Sequence, residues 1–216
     1  MAGKRTDRIV TLLLDKHGRT FADELGVNPK RNTPSPLFQL LCLALLSSAR
    51  LGAGKAMQAS KALARAGWKT PQGMANTRWE QRVDVLNKNG YARYDEKTAS
   101  QLADMVGHLQ AKYAGDLRKL RAEADGDPNK ARRLLKEFKG IGDVGADIFL
   151  REVQVAWEEY QPFADKLALK AASRLGLGND AASLAQHVSQ ERFPLLVAAL
   201  VRSQLAKDHE EILAQS

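Results

Sequence analysis

Apolar residues along this chain recur at helical spacing almost throughout. Over residues 7–16, Ile9, Leu12 and Leu13, with the aliphatic stem of Lys16, fall on one face. Residues 20–36 are irregular and punctuated by Pro29, Pro34 and Pro36. The stretch PSPLFQLLCLALLSSAR then predicts a helix that is apolar nearly all round, with proline suited to its first turn. Such a helix belongs at the centre of a helical assembly. Further helices are expected over 53–66, ended by Gly67; over 77–87, capped by Asn76 or Thr77 and stopped at Asn89-Gly90; over 95–114; and over 116–123. Asp127-Pro128 is a start signal for PNKARRLLKEF. Beyond Gly145, ADIFLREVQVAWEEY reads as a helix as far as Pro162, and ADKLALKAASRLG as another, with Gly176 or Gly178 as its stop. Two more are expected over about 180–189 and 194–214. β-branched residues are sparse and strict alternation is absent, so no strand is expected. The pattern predicts an all-α chain.

Composition narrows this picture. The 216 residues suit one large domain or two small lobes, and they are enough for a real core. The formal net charge of +8 points to a polyanionic partner, of which nucleic acid is the commonest. A single cysteine, Cys42, excludes an intramolecular disulfide and any multi-cysteine zinc or iron–sulfur site built from this sequence. Set in LFQLLCLALL, Cys42 reads as a core thiol. His17, His108, His187 and His209 show no metal-ligand spacing, so no metal site is expected. The N-terminal stretch reads as an amphipathic helix rather than a signal peptide. No run approaches the roughly 18 apolar residues that span a bilayer. The expected location is therefore the cytoplasm, with no membrane partner.

The most informative stretch is LLKEFKGIGDVGADIFL, residues 134–150. Gly140, Gly142 and Gly145 have the spacing of a dinucleotide-binding turn, which must follow a strand. Here the preceding run is helical and charged, and no Gly-Lys-Ser/Thr follows, so neither a Rossmann turn nor a P-loop fits. What remains is helix, tight hairpin, helix. Gly140 and Gly142 permit positive φ and leave amides unobstructed. Those amides, at the start of the second helix, make an anion site suited to a DNA phosphate. Lys130, Arg132, Arg133, Lys136 and Lys139 lie just upstream and are expected to add charge. A plain αα-turn with glycines for tightness is the alternative.

This stretch resembles the helix-hairpin-helix motif of the endonuclease III-like DNA glycosylase superfamily. Three further segments resemble that family in the same order, over about residues 34–178. SPLFQLLCLALLSSAR is similar to its first barrel helix. NGYARYDEKTASQLADM is similar to its Gly-then-helix segment. FADKLALKAASRLGLG is similar to the helix opened by its aspartate, here Asp165, with Lys170 and Arg174 on that helix where basic residues often stand. The resemblance implies a two-lobed fold, with a six-helix barrel over 34–145 ending in the hairpin. A second helical domain would be formed by 1–33 plus 146–216.

It also implies roles. Asp165 would stabilise positive charge on the sugar as an N-glycosidic bond breaks, with Phe163, Ala164 and Leu167 limiting water. An ordinary helix N-cap is the alternative role for Asp165. Gly140, Gly142, Gly145, Lys139 and Lys166 would contact double-stranded DNA, and Arg50 would fill the gap left by a flipped base. Tyr91, Tyr94 or Trp68 would stack on that base. A monovalent cation would sit at the hairpin, as in relatives, and the protein would act as a monomer. The sequence departs from the family at Val144, where bifunctional members carry their lysine, so a Schiff base cannot form there. Lys166 and Leu167 replace a histidine or threonine after the aspartate, and the four-cysteine cluster loop is missing. The expectation is a monofunctional glycosylase. A DNA-binding protein that has lost the reaction, and an abasic-site lyase using another amine, are the alternatives.

Overall fold

A computed structural model describes residues 2–49 and 51–216. Among them every regular element is helical. The helices run α1 (Ala2–His17), α2 (Phe21–Leu25), α3 (Pro34–Ser47), α4 (Ala53–Arg65), α5 (Pro71–Ala75), α6 (Trp79–Leu86), α7 (Asp95–Tyr113), α8 (Leu117–Ala124), α9 (Pro128–Leu135), α10 (Asp143–Val153), α11 (Lys166–Arg174), α12 (Ala181–Ala185), α13 (Phe193–Ala206) and α14 (His209–Ala214). Among the described residues no helix is long and apolar enough to cross a membrane.

Two apolar clusters organise the chain. The larger joins α3 to side chains of α4, α7, α8, α9 and α10, with Phe38, Leu102, Leu135 and Phe149 fully enclosed. The smaller joins α1, α11 and α13, through Leu13, Ala171 and Leu200, and takes Phe21 and Leu25 from α2. Helix α3 is apolar on all sides because it serves both clusters. Leu41 and Leu45 pack in the first and Leu43 in the second. Each such leucine removed from water contributes about 1.5–3 kcal/mol before the entropy of ordering is counted. Cys42 is buried on the same helix, and burial pushes its thiol well above the ordinary range. Phe149, Leu150, Val153, Trp157 and Tyr160, all beyond residue 145, belong to the larger cluster.

Several helix starts follow sequence signals. Asp116 accepts from Arg118 N, Asp127 from Asn129 N, and Asp165 from Leu167 N and Ala168 N. Other boundaries differ from the expectation. α6 starts at Trp79, behind Arg78 and later than either expected cap allows, and ends at Leu86 because Asn89 and Gly90 leave helical geometry, Gly90 at φ +82°. α10 stops at Val153, and Gln154 explains why. Its buried amide bonds the Phe163 N–H and carbonyl and the Arg151 carbonyl, tying the returning loop to the helix end. The expected helix over 194–214 breaks at Lys207, which takes a left-handed conformation at φ +60° with no glycine or proline to signal it. The short α5 was hidden between Thr70, its cap, and Thr77.

Candidate nucleic-acid interface

The hairpin is α9, a turn over residues 136–142, and α10. Its three glycines have three different jobs. Gly140 sits at φ +93°, left-handed as expected, and a Cβ there would lie 2.6 Å from Gln101 Nε2 and from Leu45 Cδ1. Gly142 does not take positive φ. At φ −97° and ψ −163° it is extended, a conformation open to any residue, and a Cβ there would meet nothing within 4 Å. Gly145 is a contact point between helices. A Cβ there would fall 2.5 Å from Ser48 Oγ and 3.3 Å from the Ala44 carbonyl, so α10 crosses α3 closely only because Gly145 has no side chain. Among the described residues, the N–H groups of Gly142, Asp143 and Val144 donate to nothing. The carbonyls of Lys139 and Ile141 accept nothing, which leaves hard oxygens of the kind a monovalent cation takes.

Four of the five basic residues before the hairpin are paired. Arg132 reaches Asp147 at 2.6 Å and Asp143 at 3.1 Å, Lys136 reaches Asp143 at 2.6 Å, and Lys139 reaches Asp104 at 2.7 Å. Arg133 lies 4.0 Å from Asp127. The hydrogen bond from Lys136, then the charge of Arg132, holds the Asp143 carboxyl below the usual aspartate range. The expected strip of free positive charge upstream of the glycines is thus largely internal bracing between α9 and α10.

A cleft of about 530 Å³ opens beside the turn, between the end of α3, the start of α7 and Gly140–Gly142. Tyr94, half-buried, and Lys97, exposed, line it. Tyr91 also borders it, but its ring is fully buried and its hydroxyl donates to the Leu46 carbonyl at 2.6 Å. Burial pushes that phenol up to about 12. Tyr91 is therefore a strut for α3 rather than a surface on which a base can stack, a correction to its expected role. Tyr94 keeps an accessible ring, with Arg93 5.5 Å above it. Trp68 packs against the larger cluster. Arg50 lies outside the described residues.

Asp165 is elsewhere, 7 % exposed, where the loop after α10 enters α11. One carboxylate oxygen accepts the Leu167 and Ala168 amides, both at 2.9 Å. The other pairs with the Arg151 guanidinium. Arg151, itself buried, also pairs with Glu152 at 3.0 Å, and Glu152 accepts the Ala22 amide at 2.8 Å. Burial alone would lower the Arg151 value, but Asp165 and Glu152 outweigh it and hold it above the usual arginine range. Two carboxylates thus share one guanidinium. Val144 and Leu167, second in their helices, are exposed, and Lys166 is exposed beside them, near enough to help depress Asp143.

Two solved structures of endonuclease III with DNA are similar to this arrangement of helices. One is a trapped covalent intermediate in an estranged-adenine complex and the other a non-covalent complex. Each matches with a TM-score of 0.52 and 18 % identity over 77 % of this chain, covering 73 % and 72 % of the other chain. The chain has the all-α helix-hairpin-helix glycosylase fold. No protein-family model matches the sequence, and no curated protein is similar to it.

Within that fold the expected site residues separate into two groups. Gly140, Gly142, Tyr91 and Tyr94 share the cleft, while Gly145, Asp165 and Lys166 are not among its lining residues. Three residues that matter were missed by sequence reasoning: Lys97, Arg151 and Glu152. The last two did leave a signal, since a charged pair inside DIFLREVQVAW is unusual on a helix otherwise headed for the core. Lys97 left none, because an exposed helix lysine is ordinary.

Proposed function

We propose that the protein grips duplex DNA through the hairpin and excises a flipped, damaged base by hydrolysis, acting as a monomeric, monofunctional glycosylase. Asp165 is the reacting carboxylate. The observation that carries this reading is a buried aspartate fixed at the start of α11, in a fold shared with endonuclease III–DNA complexes, with a valine at the lysine position. Breaking the glycosidic bond places positive charge on the sugar. A carboxylate that cannot rotate is already oriented for that charge. Arg151 weakens its field, and Glu152 offsets Arg151, so the trio keeps a formal charge of −1. Val144 offers no amine, so the sugar is attacked by water and the product is an intact abasic site. Gly142, Asp143 and Val144 amides face the backbone, with Lys166 and Arg50 as further contacts.

One observation favours a second reading, a DNA-binding protein without the reaction. Both Asp165 oxygens are already occupied, one by amides and one by Arg151. A panel of duplexes carrying uracil, oxidised bases, alkylated bases or an abasic site separates the two. Base release by the wild-type protein, lost in Asp165→Asn while its melting transition persists, supports the enzyme. Tight binding without release on every duplex supports the binder. A borohydride-trapped adduct on the abasic duplex contradicts both and assigns the chain to the lyases.

A further inference from the structure

The cleft beside the hairpin carries a charge pattern unlike the rest of the surface. Among the described residues, its one charged lining residue is Lys97, and no carboxylate lines it. The clefts of comparable size elsewhere each contain acid: Asp7 in one, Asp23 and Glu191 in another, Glu24 in a third. Lys97 makes no ion pair among the described residues, whereas Arg132, Lys136 and Lys139 each do. A phosphate approaching those three must first compete with Asp143 or Asp104. A phosphate approaching Lys97 displaces no carboxylate from it.

The neighbouring groups suit the same ligand. The Gln101 side chain lies over Gly140 and makes no hydrogen bond among the described residues, so its amide can donate to a ligand. Gly142 borders the cleft with an unused N–H. Tyr94 presents a ring beside these donors, and an aromatic face next to a cation and amides fits a nucleotide's base or sugar joined to its phosphate. The volume lies within the roughly 300–1,000 Å³ of ordinary ligand clefts. Lys55, also exposed and without an ion pair among the described residues, approaches Gly90, next to the lining residue Tyr91, its Cγ 3.9 Å from where a Cβ on that glycine would be.

We infer that one strand of bound DNA runs through this cleft, with a backbone phosphate held by Lys97 and Gln101 and its nucleotide against Tyr94. Arg132, Lys136 and Lys139 before the hairpin are left as structural bracing. This rests on the DNA-binding reading above and assigns the strand its path.

The test is fluorescence anisotropy of a labelled duplex over a range of salt concentrations, comparing wild type, Lys97→Gln, Lys97→Arg and Lys139→Gln. Removing one phosphate contact lowers the slope of log affinity against log salt by about 0.9. The inference expects that drop in Lys97→Gln, its recovery in Lys97→Arg, and an unchanged slope in Lys139→Gln. Lys97 has no ion-pair or hydrogen-bond partner among the described residues, so the melting transition should not move. Wild-type binding with an unaltered slope in Lys97→Gln overturns the strand path and leaves the DNA reading intact. No wild-type binding at low salt overturns both. Equal, Lys97-dependent binding of poly-glutamate overturns the assignment to nucleic acid.

Discussion

At the scale of single residues, the glycines of the hairpin are not interchangeable. Gly145→Ala pushes a methyl into Ser48 and the Ala44 carbonyl, and α10 must shift against α3. Overpacking of this kind costs about 1–3 kcal/mol. Gly142→Ala meets open space at an ordinary φ, and its stability should stay near that of wild type. Urea denaturation of the two variants checks the contrast, and equal midpoints would contradict it. The spacing of the three glycines was plain in the sequence. Their separate duties were not, because φ at Gly142 and the approach of Ser48 to Gly145 depend on how α10 lies on α3.

At the scale of elements, the junction of α2, α10 and α11 is held by charge. Arg151 bridges Asp165 and Glu152, Glu152 caps α2 through Ala22, and the Phe21 ring lies 4.8 Å from the Arg151 guanidinium and 4.2 Å from that of Arg202. Arg151→Met leaves two buried carboxylates facing each other without a cation. Removing one partner of a buried pair costs about 3–5 kcal/mol. A thermal melt shifted by less than 1 kcal/mol, on the order of an exposed pair, would show that the bridge is not structural. A second junction joins α1 to α14. Burial works to raise Asp208, but hydrogen bonds from Ser203, His17 and Lys16 outweigh it and bring it to about 2. Because this value is depressed, the junction's contribution is complete above the ordinary carboxylate value of 3.8 and is lost as pH falls through about 2. Asp208→Asn should therefore flatten the acid limb of stability between those values, measured by urea midpoints across pH. An acid limb identical to wild type would remove Asp208 from the account.

The helices themselves were largely legible, since 3.6-residue periodicity and Asp caps at 116, 127 and 165 write them into the chain. The ends at Val153 and Lys207 were not. One depends on a glutamine that reaches across a loop, and the other on a left-handed lysine whose N–H closes the helix on the Ser203 carbonyl. Asp165 was legible as a position and as a cap, but its partner Arg151 belongs to the preceding helix, and only the fold brings them together.

At the scale of the whole molecule, a formal charge of +8 is spread unevenly. Beside the hairpin it is spent largely on internal pairs. At the cleft between α3 and α7 a lysine stands without acid around it. The fold is shared with proteins seen on DNA, and both readings of this chain require it to hold a duplex by its backbone. Backbone contacts carry no sequence information and are strongly salt-dependent. The most direct measurement is the affinity of the wild-type protein for two undamaged duplexes of unrelated sequence over a range of salt. The account predicts equal affinities that fall together and steeply as salt rises. Absence of binding at low salt, or an affinity indifferent to salt, would contradict it.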